Sequence, residues 1–249
     1  VVSKPPFDNL KLRQAVNLAL DRERVGLVAW GNVSVHPQLL VYTKDSPWSR
    51  SDDEIWNVVP GWGTGAKKAQ EIEQAKQLVK DAGYPNGLDT ELMVRSNLYE
   101  DANQEVQKEI LPIGIRTAIK IVDAATLQDR MAALNYAMQY YTFTVTTRDP
   151  DEVVGQYWIT GGSRNWKGYS NPGVDKLYIQ QSSELDPVKR KQLFRQIEDI
   201  VVLKDIGYAP TMVQEGSVFW WKRLQGVTVG PNPYAPPGLF RADRLWIEE

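Results

Sequence analysis

Cysteine is absent from the 249 residues, and His36 is the lone histidine. Those two facts exclude thiol nucleophiles, thiolate or His-rich metal centres and cysteine-attached haem, and they leave any Ser-His-Asp arrangement dependent on His36. Excess charge is lacking too: 29 Lys and Arg stand against 31 Asp and Glu, a formal net charge of −2. The chain therefore has neither the basic surplus that holds a nucleic-acid backbone nor the acidic composition of a solvated tail. No apolar run approaches the roughly 20 residues of a membrane-spanning helix, and the opening stretch Val1 to Phe7 contains no apolar h-region. Missing cysteine suits a cytoplasm and a bacterial periplasm equally.

What is present is apolar mass and an unusual choice of rings. A 42% apolar composition over this length supports one large α/β domain, or a lobe with a small appendage, burying roughly three-quarters of its unfolded surface. Against 5 Phe there are 9 Trp and 11 Tyr, so large rings with a polar handle are preferred. Such rings suit boundaries where one side is dry and the other meets water or a polar ligand. The start, Val1 with Pro5-Pro6 just ahead of a helix, reads as a chain entered in the middle.

Hydrophobic periodicity sets the element order. Asp8 is the expected N-cap of a helix carrying Leu12, Val16, Ala19 and Leu20, and Asp21 begins a second through Val25 and Val28. Residues 31–65, with Pro37, Pro47 and Pro60 and the run Ser51-Asp52-Asp53-Glu54, read as an irregular excursion whose acidic run is a solvated loop. A helix over 67–82 follows, with Gly83 as its C′ residue and a turn at Tyr84-Pro85-Asn86-Gly87. Then come a strand over 88–94, a helix over 101–111, a strand over 115–122, a helix capped by Asp123 and an aromatic-rich strand over 137–146. This order implies a largely parallel sheet flanked by helices. Asp149-Pro150, Asn171-Pro172 and Asp186-Pro187 announce three more helices, with Glu152 completing a capping box on Asp149 and the last helix running to Lys204. Past Gly207 short strands are expected over 208–214 and 217–222, then an irregular Pro/Gly-rich stretch.

Ligands in open α/β sheets lie beyond the carboxyl ends of the strands, where loops diverge and helix N-termini point their amides. That places Arg95, Ser96, Asn97 and Tyr99 after the first strand, and Thr146, Thr147 and Arg148 after the third, at one crevice. Trp158 and Trp166, either side of Gly161-Gly162, serve equally as core or as ligand platforms, with at least one near solvent. Trp220-Trp221 on a strand would point to opposite faces, one of them into the core. Gly61-Trp62-Gly63-Thr64-Gly65 before Lys67-Lys68 lacks the spacing of a phosphate loop and reads as a flexible linker. Asp149 and Asp151 are explained by capping; a carboxylate pair doing acid/base work, as in a small-molecule hydrolase, is the alternative, and a protein-interaction module built on the Trp-rich tail is another. Neither a metal site nor a cofactor is expected, and no residue is assigned a catalytic role.

Four segments carry a resemblance. KPPFDNLKLRQAVNLALDRERV from Lys4, AKQLVKDAGYPNG from Ala75, GYSNPGVDKL from Gly168 and LDPVKRKQLFRQIEDIV from Leu185 are similar, in that order, to family 5 bacterial extracellular solute-binding proteins. That family serves ABC importers of peptides, nickel chelates and oligosaccharides. The resemblance implies a periplasmic-binding-protein-like (type II) lobe over 1–207, the C-terminal lobe of a two-lobed protein, with 208–249 returning through the hinge to complete a missing N-terminal lobe. It further implies a small-molecule solute, an ABC permease as partner, no nucleic acid, and a periplasmic or extracellular location. In peptide-binding members an Asp three residues before the acidic-Pro pair meets the peptide's amino terminus; here Thr146 stands there, and Phe143 keeps the aromatic that commonly precedes it. The expected site is Tyr99, Phe143, Thr146 and Trp158 or Trp166, neutral and aromatic, with Arg95, Asn97 and Arg148 beside it.

Overall fold

Caps decide where most helices of this chain begin. Asp21, Asp123, Asn171 and Asp186 each place a side-chain oxygen on free amides of a first turn, and Asp149 does the same ahead of Pro150. The computed structural model describes residues 1–31, 35–40, 46–142, 147, 149–214, 220–227 and 244–248. In it these caps open α2 (Arg22–Trp30), α6 (Ala124–Ala132), α7 (Pro150–Tyr157), α8 (Pro172–Ser183) and α9 (Pro187–Glu198). The first helix, α1 (Leu10–Ala19), is capped by Asn9, whose side-chain oxygen accepts from the Lys11 amide at 3.0 Å. Asp8 is used one step earlier: its amide donates to the Lys4 carbonyl and closes the preceding turn.

The sheet is built from β2 (Leu88–Arg95) and β3 (Ile115–Val122), parallel and in register from Leu88 opposite Ile115 to Arg95 opposite Val122. Between them α5 (Glu100–Ile110) and a short 3-10 turn make the crossover. Leu92, Met93 and Val94 are consecutive and all buried, the mark of a strand covered on both faces. On one face α1 and α4 (Gly65–Asp81) supply Leu12, Ala15, Ala75 and Val79; on the other, Met93 meets Leu127 and Met131 of α6. Burying each large aliphatic side chain stabilises by about 1.5–3 kcal/mol. The expected third strand contracts to a parallel bridge between Leu92 and Met138, with the Met93 amide donating to the Met138 carbonyl at 2.9 Å. Positions 143–146 of that expectation lie outside the described residues.

A second core joins α7, α8 and α9 through Val153, Val154, Val174, Phe194, Ile197 and Val201. The helix expected to run to Lys204 ends at Glu198 and continues as a π-helical turn, Asp199–Lys204. Into this core the excursion after β1 (Val35–Pro37) inserts Leu39, Leu40, Trp48, Ile55 and Trp62. The acidic run is no loop: it is the first turn of α3 (Asp52–Val58), where the Ser51 hydroxyl accepts from the Glu54 amide and three carboxylates sit at the positive end of the helix dipole. The glycine-rich stretch is not a flexible linker either. Gly61 has φ +87°, and a Cβ there would lie 2.3 Å from the Asn17 carbonyl oxygen, while Trp62 is 1% exposed.

The first residues after Gly207 still pack on this body. Tyr208 lies on Trp158 with ring centroids 4.8 Å apart, and β4 (Met212–Gln214) pairs antiparallel with β1. In place of a strand over 217–222, β5 (Leu224–Gln225) pairs with β6 (Trp246–Ile247); residues 217–219 lie outside the described set. Trp220 and Trp221 are both exposed, at 45% and 81%, so neither enters the core. Among the described residues no helix is long and apolar enough to cross a membrane.

Candidate functional site

At the carboxyl end of β2 the backbone is strained. Asn97 and Tyr99 take φ of 59° and 58°, a left-handed conformation that costs non-glycine residues about 1–3 kcal/mol and recurs where a site is held in shape. Three hydrogen bonds hold it here. The Ser96 amide donates to the Val122 carbonyl at the end of β3, the Asn97 amide to the Glu100 carboxylate at 2.7 Å, and the buried Asn103 side chain donates to the Tyr99 carbonyl at 2.7 Å. Asn103 also accepts from the Tyr140 amide at 3.2 Å, which ties the loop to the segment after Met138.

The Tyr99 ring consequently stands edge-on between Trp30, at 5.3 Å, and Tyr140, at 6.0 Å, and its hydroxyl accepts from Thr142 at 2.8 Å. The indole N–H of Trp30 is buried beside it. Burial pushes the Tyr140 phenol above its ordinary range. Next along the chain, Tyr141 turns to a second aromatic group. Trp166 packs T-shaped on Tyr141 at 5.9 Å and on Tyr157 at 6.1 Å, and its carbonyl accepts from the Tyr136 hydroxyl. Arg164 Nη1 donates to the Tyr157 hydroxyl at 3.0 Å, and Lys167 Nζ to the Tyr157 carbonyl at 2.5 Å. Side chains of this kind can meet a solute by aromatic contact and a few hydrogen bonds. Among the described residues no cluster of three or more His, Asp or Glu is placed to bind a metal ion.

Bacterial extracellular solute-binding proteins, family 5 Middle, is the family whose model matches this chain, over residues 2–165. The chain belongs to that family. Glutathione-binding protein GsiB of Escherichia coli (strain K12) is 25% identical over 251 residues, covering 93% of this chain and 44% of the relative. Among solved structures, HbpA2 from Haemophilus parasuis superposes with TM-score 0.74 at 20% identity, over 100% of this chain and 47% of that one. OppA of Haemophilus influenzae, in complex with RPPGFSPFR, gives TM-score 0.74 at 20% identity over the same shares. The fold is that of the type II periplasmic binding proteins. The chain spans less than half the length of the relatives it matches.

In this family 5 chain the residues picked out by sequence separate. Tyr99 and Trp166 are half-buried and belong to the two aromatic groups; Arg95 and Asn97 are exposed on the loop that ends β2. Trp158 is 1% exposed, enclosed by Tyr169, Tyr208 and the Lys167 ammonium 3.7 Å from its ring, so it offers no open face. Phe143, Thr146 and Arg148 lie outside the described residues. Sequence reasoning passed over Trp30, Tyr140, Tyr141, Tyr157, Arg164 and Lys167. The aromatic density of 137–146 was the available signal, but pairing its rings with Trp30 and Trp166 requires the fold.

The acid/base alternative loses its motivation here. Asp149 caps α7 and receives both prongs of the Arg190 guanidinium, at 2.6 and 2.8 Å, while Asp151 accepts from Gln181 and Ser182. Glu152 does not close a box on Asp149; it accepts from the Thr147 amide and hydroxyl. Against the pull of partial burial, Arg190 and the Asp151 amide hold the Asp149 carboxyl below its usual range. A lowered carboxyl stabilises the fold above its unfolded pKa, about 3.9, and that contribution disappears as pH falls through the folded value. Asp149→Asn should thus cost about 1 kcal/mol or less at pH 7, since the pair is half-exposed, and nothing near pH 2; urea titrations at both pH values check it.

Proposed function

We propose that residues 1–207 are the ligand-binding lobe of a two-lobed solute-binding protein, and that 208–249 lead back through the hinge to complete the other lobe. The protein takes up a small polar solute, of peptide or oligosaccharide type, by closing its lobes, and delivers it to an ABC permease from the periplasm or the cell exterior. It acts by binding, without catalysis. The observation that carries this reading is the strained, aromatic-walled loop at the carboxyl ends of β2 and β3, in a chain that matches family 5 over most of its length. Arg95, Asn97, Tyr99 and Trp166 line the proposed site, with Phe143, Thr146 and Arg148 joining them from the adjoining stretch. Trp158 supports that wall from behind.

Closure has a physical purpose. An open crevice leaves hydrogen bonds and ring contacts competing with water, and a second lobe removes that competition and lowers the local dielectric. With Thr146 neutral, no carboxylate is supplied at the position where peptide-binding members meet a free amine, so the solute's recognition rests on neutral and cationic groups. GsiB, by its name a glutathione binder, makes glutathione the first probe. Native mass spectrometry of the full-length protein, freshly purified, should show a co-purified or added small solute in one-to-one stoichiometry. A protein that remains bare, and that shifts with neither glutathione, tripeptides nor oligosaccharides, would sink the reading.

A further inference from the structure

We infer that Arg164 is a specificity residue of this crevice, receiving a carboxylate group of the solute. The inference rests on the solute-binding reading above and deepens it. Arg164 follows the Gly161-Gly162 turn and is fixed by its own amide, which donates to the Gln156 carbonyl at 2.9 Å. Of its side-chain donors, Nη1 is taken by the Tyr157 hydroxyl; among the described residues nothing is hydrogen-bonded to Nε or the second terminal nitrogen, and the carboxylate that acts on the guanidinium, Glu152, forms no salt bridge with it. By contrast, the Arg50 guanidinium meets three carboxylates and that of Arg190 meets two. Arg164 therefore presents an anchored, unfilled fork, the geometry that matches a carboxylate bidentately.

Its surroundings favour an anion. The Arg164 guanidinium carbon lies 6.0 Å from the centre of the Tyr157 ring, and the Lys167 ammonium lies 5.8 Å from the same centre. Two cations thus flank one phenol, and among the described residues neither is in a salt bridge, the Glu152 carboxylate acting on Arg164 only through space. Burial pulls the Lys167 amine down to about 7, the response of a cation whose charge is left uncompensated. An arriving carboxylate would compensate both. Position agrees as well. Trp166 links Tyr157 to Tyr141, and Thr142, next in the chain, donates to the Tyr99 hydroxyl, so the fork adjoins the same aromatic wall that ends at the strained loop.

The test uses the full-length protein and two matched probe pairs in calorimetry: glutathione against its diethyl ester, and tri-alanine against its carboxy-terminal amide. Arg164→Gln should weaken binding of the free-acid probe roughly 10- to 100-fold and leave the masked probe unchanged, the loss expected for a charged hydrogen-bond pair. Arg164→Lys should recover part of that loss, because it restores charge without the fork. The thermal midpoint of both variants should match the parent, since the side chain is exposed. Equal weakening of acid and masked probes, or no weakening of either, overturns the assignment of Arg164 while leaving the solute-binding reading intact. Failure of the parent protein to bind any of the four overturns the assignment along with the peptide-type ligand on which it rests.

Discussion

Arg22→Met should remove about 3–5 kcal/mol of unfolding free energy, a large share of what a domain of this size possesses. Arg22 is 2% exposed, and its guanidinium donates to the carbonyls of Asn17, Gly61 and Pro210 and to the Asn17 side chain. It also lies 4.8 Å above the Trp62 ring. Burial lowers its pKa to about 9, so it is still charged at neutral pH. Around the same glycine, Glu71 accepts from the Gly61 amide at 2.8 Å, and Lys68 pairs with Glu71 while donating to the carbonyls of Leu18, Leu20 and Gly61. One side chain thereby holds the end of α1, the Gly61 turn and the segment returning at Pro210. Methionine fills much of the volume but takes the charged donor from the buried Asn17 and Pro210 carbonyls and leaves Gly61 with Lys68 alone, and each unsatisfied carbonyl costs about 1–3 kcal/mol. Arg22→Lys keeps a charge without the planar fork, and should fall between the two in urea denaturation. A loss below about 1 kcal/mol for Arg22→Met would mean that water satisfies those carbonyls.

The network around Arg22 also shows where sequence reading ends. Local signals were legible: the Asx-Pro caps, the exact span of β3, and Gly83 past the end of α4 each follow from a residue and its immediate neighbours. The Gly61 stretch was not, because its rigidity is imposed by residues 39 and 43 positions away. α3 was missed for a different reason: its Ser51 cap and acidic first turn are ordinary local signals, but the prolines on either side suggested an irregular segment. Among the aromatic groups, Tyr99 and Trp166 were named from sequence because strand ends and glycine breaks locate loops. Trp158 was not separable from Trp166 by sequence: both are tryptophans beside the same turn, and only the packing of Tyr169 and Tyr208 encloses one and leaves the other half-open. Arg164 carried no sequence signal, since an unfilled guanidinium is defined by the absence of a partner in space.

Arg50→Ala should be of similar severity, about 3–5 kcal/mol, and should also change how stability responds to pH. Arg50 donates to Glu54 of α3, to Glu198 at the end of α9 and to Asp199 in the π-helical turn, so it joins the excursion to the second core. Glu198 is 3% exposed and keeps Arg195 as its other cation, at 3.0 Å. Burial already pushes the Glu198 carboxyl above its usual range, and the two arginines oppose that rise. Removing Arg50 lets the pKa climb further. A carboxyl raised on folding favours the native state below its folded pKa, and that advantage is lost as pH rises through it, because the buried group must then either ionise or hold a proton the unfolded chain releases. The variant should accordingly lose stability between pH 5 and pH 8 more steeply than the parent, by up to about 1.4 kcal/mol per pH unit for one proton. Adding Glu198→Gln should flatten that slope and restore part of the loss at pH 8, since a neutral amide is cheaper to bury than an underpaired carboxylate. Equal losses at pH 5 and pH 8, with no rescue by the second substitution, would mean that Glu198 is solvated and that Arg50 contributes packing alone.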